Sequence, residues 1–452
     1  MRIVIAGGGI SGLSLAYWLT RDRERELDVT VLEAEHRPGG KVWTDREEGY
    51  LLESALNGFL DNKPRTLELA ALLSLEPLRS NESSKKRFIV LGGELNKLPE
   101  SPPAFLSSGL MSVPGKLRIM LEPFIPRSKA EDESLADFAR RRLGREAFEK
   151  LIDPMASGIY AGNPENMSLA SCFPRIREIE QTYGSLIRGL IKISAERKKK
   201  VGAAPAGTLT SFGEGMQAMS DALAGVLGER LRLGSRVQGV EPAKSGGYRL
   251  HLSDGTAVEA DVAVLAMPAH QAQEALKGLD PAASELLGGI EYPPVAVVCT
   301  AFKRENVGTP LEKFGFLVPF REGRKILGTL FDSSIYPGRA PEGRVLLRTM
   351  AGGSRAPSIA MLEDGKLLGT VLSELGEIAG VKGDPEFVKI FRHEQAIPQY
   401  ALGHPRRLGE IEERMAGHRG LYVTGNALRG ISFNDCIENS YNLAMRILEE
   451  NA

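Results

Sequence analysis

Gly7, Gly9 and Gly12 form a G-x-G-x-x-G run, with Gly8, Ile10 and Ser11 between them, and Glu33 follows 21 residues after the last glycine. Residues of these types at this spacing can hold a dinucleotide. The first glycine permits a tight turn, the second lets backbone N–H groups close on a pyrophosphate, and the third lets a helix pack tightly on a strand. A carboxylate at Glu33 can accept from the ribose hydroxyls of an adenosine with a free 2′-OH, which fits FAD or NAD better than NADP. Directly behind it, after Ala34, the segment HRPGGKVWT supplies Arg37, Gly39, Gly40 and Lys41. A second glycine turn there would let backbone approach the flavin side of such a ligand.

These residues work only if particular elements carry them. Residues 3–5 form an apolar run suited to a buried parallel strand, residues 13–19 favour a helix, and VTVLE reads as a second strand ending in Glu33. The helix N-terminus would add N–H groups and a positive dipole end. Further on, Tyr248, Leu250 and Leu252 alternate, Asp254-Gly255 marks a hairpin turn, and residues 262–266 read as another buried strand. Near the C-terminus a strand over 421–424 leads to Gly425 and Asn426, a loop with Gly430, and an amphipathic helix from about Asn434. A helix N-terminus pointing at a flavin ring would stabilise negative charge on its reduced form. No second complete G-x-G-x-x-G follows a strand. The near match FGEGMQAM lacks the third glycine and a preceding apolar strand, so reoxidation by dioxygen or a quinone is expected rather than by a pyridine nucleotide.

Composition bounds the rest. A chain of 452 residues exceeds one hydrophobic core, so two or three packed units are expected. The net charge of −1 gives no reason to expect nucleic acid. Cys172, Cys299 and Cys436 are scattered, which argues against disulfides or zinc and for a reducing compartment. The six histidines show no metal-ligand spacing. No apolar run reaches membrane-spanning length, and the opening residues read as strand, turn and helix rather than as a signal peptide.

The R-x-G-G-[KR] element at Arg37–Lys41 resembles the signature of FAD oxidases such as amine oxidases, phytoene desaturases and protoporphyrinogen oxidases. Further runs resemble the protoporphyrinogen oxidase family from nearly end to end: LIDPMASGIYAGNPENMS (151–168), FGEGMQAM, AFKRENV (301–307), EKFGFLVP, ILGTLFDSSIYPGRAP, AGGSR, IPQY and the terminal GN…NDCI. The match is nearest to the mitochondrial-plant and myxobacterial branch. The resemblance implies an α/β fold: a Rossmann-like, glutathione-reductase-like FAD domain from segments 1–79, 203–280 and 409–452, an α+β substrate domain at 281–408, and a helical membrane-contacting domain at 80–202. It implies six-electron oxidation of protoporphyrinogen IX to protoporphyrin IX, with three dioxygen consumed and three hydrogen peroxide formed. The expected step is hydride transfer from a meso-methylene to the flavin with loss of a pyrrole N–H proton, and no general base is assigned.

By family position the FAD contacts are Gly7, Gly8, Gly9, Ile10, Ser11, Gly12, Glu33, Ala34, Gly40, Lys41, Ala55, Leu56, Asn57, Gly58, Val237, Ala266, Gly425, Asn426, Ile431, Ser432 and Phe433. The family often has a glycine-proline pair after Glu53, where this chain has Ser54-Ala55-Leu56-Asn57-Gly58. A porphyrinogen is an apolar disc with carboxylate tails, so its pocket needs an apolar clamp and a cation. Arg87 matches the arginine that pairs with a propionate. Leu317, Leu330 and Met350 fall where side chains sandwich the tetrapyrrole, with Gly158 offering backbone. Met350 replaces the phenylalanine of plant relatives. Leu317 and Leu330 also read as plain core, and Arg87 as a solvated member of KKR.

Coproporphyrinogen III oxidation, an amine oxidase or carotenoid desaturase, and an FAD-bearing tetrapyrrole carrier are the competing readings. In SLIRGLIKISAERKKK, Leu186, Ile187, Leu190, Ile191 and Ile193 lie around Arg188, Lys192 and a basic run over 197–200. That pattern suits an interfacial amphipathic helix or a core helix with a solvated end. The family habit implies a cytoplasmic protein peripheral on the inner face of the cell membrane, with handover to ferrochelatase and a homodimer among its expected associations.

Overall fold

The computed structural model describes residues 1–21, 27–199 and 207–451. Most of the charged stretch before the second strand and most of the VGAAPAGTL loop therefore lie outside the described residues, as do the side chains of the basic run at 197–200.

A five-stranded parallel sheet carries the glycine turn. Its order is Leu231–Arg232, Asp28–Leu32, Arg2–Ala6, Val262–Leu265 and Leu421–Val423. The inner strands are runs of β-branched and small apolar residues, and Ile3, Val4, Ile5, Val262, Ala263 and Val264 are buried, as a sheet covered on both faces requires. Helix Ile10–Thr20 is buried from Ile10 to Leu19. It has no polar face because it lies between the sheet and the C-terminal helix Phe433–Glu450, whose Ser440 Oγ donates to Ser11 O at 2.7 Å. The expected hairpin is present: Val237–Pro242, Tyr248–Leu252 and Ala257–Ala260 form an antiparallel meander that feeds Val262–Leu265.

A seven-stranded sheet forms the second layer, in the order Phe387–His393, Val295–Lys303, Arg344–Gly352, Gly328–Leu330, Gly315–Leu317, Arg87–Leu91 and Glu94–Lys97. Helix Asp364–Ala379 covers one face through Leu367, Val371 and Leu375 against Ala296, Val298, Phe316 and Leu347. The other face packs Val295, Val297 and Cys299 against Tyr50 and Leu52 of strand Tyr50–Glu53.

The helical unit begins near residue 102, with Pro102–Ser107. Strands Arg87–Leu91 and Glu94–Lys97 belong to the seven-stranded sheet, so a division at residue 80 separates them from the rest of that sheet. Within the helical unit Arg142, Glu122 and Glu180 are wholly buried; Arg142 Nη1 lies 3.0 Å from Glu122 Oε1, and Glu122 accepts from Leu186 N at 2.9 Å. Helix Leu186–Lys199 is thereby fastened to the Glu122–Phe124 turn.

One expectation is corrected. A strand, Leu209–Phe212, does precede Gly213, and helix Gln217–Leu227 follows. Its polar Thr210 and Ser211 are buried, which is why its hydropathy hid it. It pairs antiparallel with Phe59–Leu60 and Pro77–Arg79, so it builds no second dinucleotide fold.

Candidate active site

The two glycine turns meet. Gly7 has φ +115° and a side chain there would lie 2.5 Å from Ala266 O, while a Cβ on Gly12 would fall 1.9 Å from Gly7 O. Gly39 N donates to Gly8 O at 2.8 Å, and Gly40, at φ +63°, would bring a Cβ within 3.2 Å of Gly9 Cα. Ile10 and Ser11 open the buried helix above them. Glu33 directly follows strand Asp28–Leu32 beside this cradle, accepting from Gly8 N at 2.5 Å and from Glu35 N at 2.9 Å across Ala34. Burial raises its carboxyl above 4.5, and the backbone hydrogen bonds oppose that rise. Ala266 follows strand Val262–Leu265 and lies against Gly7, and Val237, 8% exposed, opens the meander.

Lys41 follows the second turn. Its Nζ donates to the carbonyls of Gln395 and Ala396 and stands 5.2 Å from the Tyr292 ring centroid. Burial lowers its amine from 10.5 to about 8.

Segment 53–58 joins strand Tyr50–Glu53 to strand Phe59–Leu60 and lies against the seven-stranded sheet. Ser54 O accepts from His393 Nε2 at 2.9 Å, and Arg348 Nη1 donates to Ala55 O and, at 3.5 Å, to Glu53 O. The N–H groups of Ala55, Leu56 and Asn57 have no acceptor among the described residues. Asn57 Nδ2, Trp43 Nε1 and Arg37 Nε and Nη2 are likewise buried without a partner. Gly58 is held tightly, since a Cβ there would meet Tyr336 Oη at 2.4 Å. Buried donors without partners are rare in proteins. Their concentration here, beside a backbone cradle that admits no side chain, fits a dinucleotide with an acceptor-rich ring, as FAD has.

The C-terminal loop faces the same region. Gly425 has φ +121° with open space where a side chain would stand. Asn426 O accepts from Tyr400 Oη at 2.5 Å, and Leu428 O accepts from His404 Nε2 at 3.1 Å. Ile431 packs on the helical unit. Ser432 caps the last helix, accepting from Asp435 N at 3.1 Å, and Phe433 stacks on Phe59 at 5.9 Å. Asp435 lies in that first turn and accepts from the Ser432 hydroxyl at 2.6 Å, so a carboxylate already offsets part of the dipole expected to act on the flavin.

The substrate candidates share one face of the seven-stranded sheet. Leu317, Gly328 and Met350 stand opposite one another across three strands, and Arg87, Gly315, Leu330 and Arg348 form the adjoining row two residues away. Rows two residues apart present side chains to the same side. Gly158, on helix Asp153–Tyr160, closes over this face: a Cβ there would lie 2.5 Å from Leu317 Cδ2. Arg87 is exposed at the rim, its guanidinium 5.3 Å from the Phe314 ring.

Sequence reasoning missed Arg348 and His393. Arg348 was marked by being a lone charge inside the apolar run VLLRTMA; nothing local marked His393.

Comparison with known proteins agrees with this geometry. Residues 10–448 match the family model described as flavin containing amine oxidoreductase. The chain is 33% identical to protoporphyrinogen oxidase 1, chloroplastic, of Arabidopsis thaliana, over 98% of this chain and 87% of that protein. It is 32% identical to coproporphyrinogen III oxidase of Bacillus subtilis (strain 168), over 97% of this chain and 96% of that protein. A solved structure from Exiguobacterium sp. 255-15, provisionally described as a protoporphyrinogen oxidase, superposes with TM-score 0.83 at 29% identity and covers 99% of both chains. Putrescine oxidase, at 16% identity and TM-score 0.71 over 99% of both chains, shares the fold. With its paired glycine turns, its unpartnered donors and these matches taken together, the chain belongs to the flavin containing amine oxidoreductase family and is an FAD-dependent oxidoreductase.

Proposed function

We propose that this protein oxidises a porphyrinogen to the porphyrin, with protoporphyrinogen IX as substrate, dioxygen as acceptor and a place in haem biosynthesis. The observation that carries the reading is the single sheet face bearing Leu317, Leu330 and Met350 beneath Gly158, with Arg87 at its rim. A largely apolar face with a cation at its edge suits a flat macrocycle with carboxylate tails. FAD, when bound, would supply the hydride acceptor for the three two-electron steps that a six-electron oxidation requires. The chain's part is to bind the disc, orient it and exclude water.

Coproporphyrinogen III is the second reading, favoured by the B. subtilis relative, which this chain matches over nearly its whole length. An oxygen electrode with both porphyrinogens in parallel, each product followed by fluorescence, tests the two together. Oxygen uptake with peroxide and porphyrin formation on protoporphyrinogen is expected. Turnover of coproporphyrinogen alone would transfer the assignment, and turnover of neither would end it.

We infer contact with a membrane surface from the helical unit. Among the described residues no helix is long and apolar enough to cross a membrane. The stripe foreseen on helix Leu186–Lys199 divides: Leu186 is buried at 9% exposure, whereas Leu190 and Ile191 are exposed at 55% and 66%. The adjoining segment adds Val113, Leu117, Met120, Leu121 and Phe124, all exposed, beside Lys116 and Arg118. Apolar side chains edged by cations suit a bilayer surface.

A further inference from the structure

We propose that Arg348 and His393, both on the substrate sheet, are positioning residues that set segment 53–57 against the flavin, so that the substrate layer shapes the surroundings of the cofactor. The proposal rests on FAD being held by the paired glycine turns.

Three consecutive carbonyls of that segment are held by these two side chains. Glu53 O and Ala55 O, two residues apart, both accept from Arg348 Nη1, and Ser54 O between them accepts from His393 Nε2 at 2.9 Å. The carbonyl is the acceptor, so the Nε2 atom must carry the proton. Arg348 is 1% exposed, and its Nε donates to Asp332 Oδ2 at 2.8 Å. Burying a guanidinium costs free energy that a single carboxylate partner does not clearly recover. A backbone clamp gives that burial a purpose, because only the planar fork can serve Asp332 with one nitrogen and the carbonyls with another.

The clamped segment is also the donor-rich one. Ala55, Leu56 and Asn57 offer backbone N–H groups with no acceptor among the described residues, and Asn57 Nδ2 is buried without a partner. Fixing the carbonyls fixes the peptide planes, and therefore the directions in which these donors point.

Three variants test the proposal: His393→Ala, His393→Gln and Arg348→Lys. Glutamine keeps an N–H donor near the position of the imidazole nitrogen, and lysine keeps a charge for Asp332 without the fork. Each apoprotein is titrated with FAD by flavin fluorescence, and the visible absorption of the bound flavin is recorded. His393→Ala and Arg348→Lys should weaken FAD binding by about tenfold or more and shift the flavin bands, with His393→Gln restored towards the unsubstituted protein. FAD affinity and flavin bands unchanged in all three would overturn the proposal. So would equal losses in the alanine and glutamine variants, which would mean that ring packing matters and the carbonyl bond does not. Should Arg348→Lys fail to fold, the His393 pair decides. Unsubstituted protein that takes up no FAD would overturn the cofactor reading as well, and it is recognised without any substitution.

Discussion

Lys41 and Arg87 are both cations, and the fold puts them to opposite uses. Lys41 is half-buried, and desolvation lowers its amine to about 8. Its folded value lies below the unfolded one, so loss of the proton favours the fold, and the apoprotein should gain stability as pH rises from about 8 towards 10.5. A diphosphate brought near it reverses the preference. FAD binding should then take up a proton, and affinity should fall by up to roughly tenfold per pH unit above that value. Lys41→Met should abolish the slope in a fluorescence titration; a flat profile in the unsubstituted protein would separate Lys41 from the phosphates. Arg87 is exposed, so Arg87→Ala should change stability by no more than about 0.5 kcal/mol. It should raise KM for the porphyrinogen and leave bound FAD spectrally normal. Lys41 was singled out in the sequence because it stands in a contiguous motif, and Arg87 through family position alone. Arg348 and His393 were not, because their partners lie roughly 300 residues away in sequence and only the sheet register brings them together.

At the scale of elements, the strand–turn–helix opening was readable because its parts are adjacent and each glycine has a steric reason. Gly12→Ala would press a methyl group onto Gly7 O at 1.9 Å, and backbone cannot yield as a side chain can. Loss of FAD uptake with a lowered melting temperature is expected, measured by flavin absorbance and calorimetry. Gly158→Ala meets only the mobile end of Leu317, at 2.5 Å. That variant should fold and bind FAD normally while kcat/KM for the porphyrinogen drops, and a change confined to FAD affinity would remove Gly158 from the substrate side. The strand at 209–212 was hidden by its buried hydroxyl residues, and the edge of the helical unit was blurred because strands 87–97 join a sheet whose other members begin about 200 residues later. Pattern reading finds what one element does alone, and these depend on a distant partner.

At the scale of the molecule, the exposed apolar residues gather on the helical unit. Leu117→Glu with Phe124→Glu should reduce co-sedimentation with anionic lipid vesicles several-fold and leave porphyrinogen turnover in detergent unaltered. Equal sedimentation of both forms would count against the membrane assignment. The parallel sheet carries a different consequence. Its strands come from residues 2–6, 28–32, 231–232, 262–265 and 421–423, and the helix that closes over the first glycine turn ends at Glu450. A ribosome therefore releases nearly the whole polypeptide before the dinucleotide cradle can close. During synthesis the opening strands must wait, apolar and unpaired, for partners still being made, which is when such chains are most prone to aggregate. Flavin supply during expression should thus govern the yield of soluble protein, and a chain stopped short of Leu421 should emerge without colour.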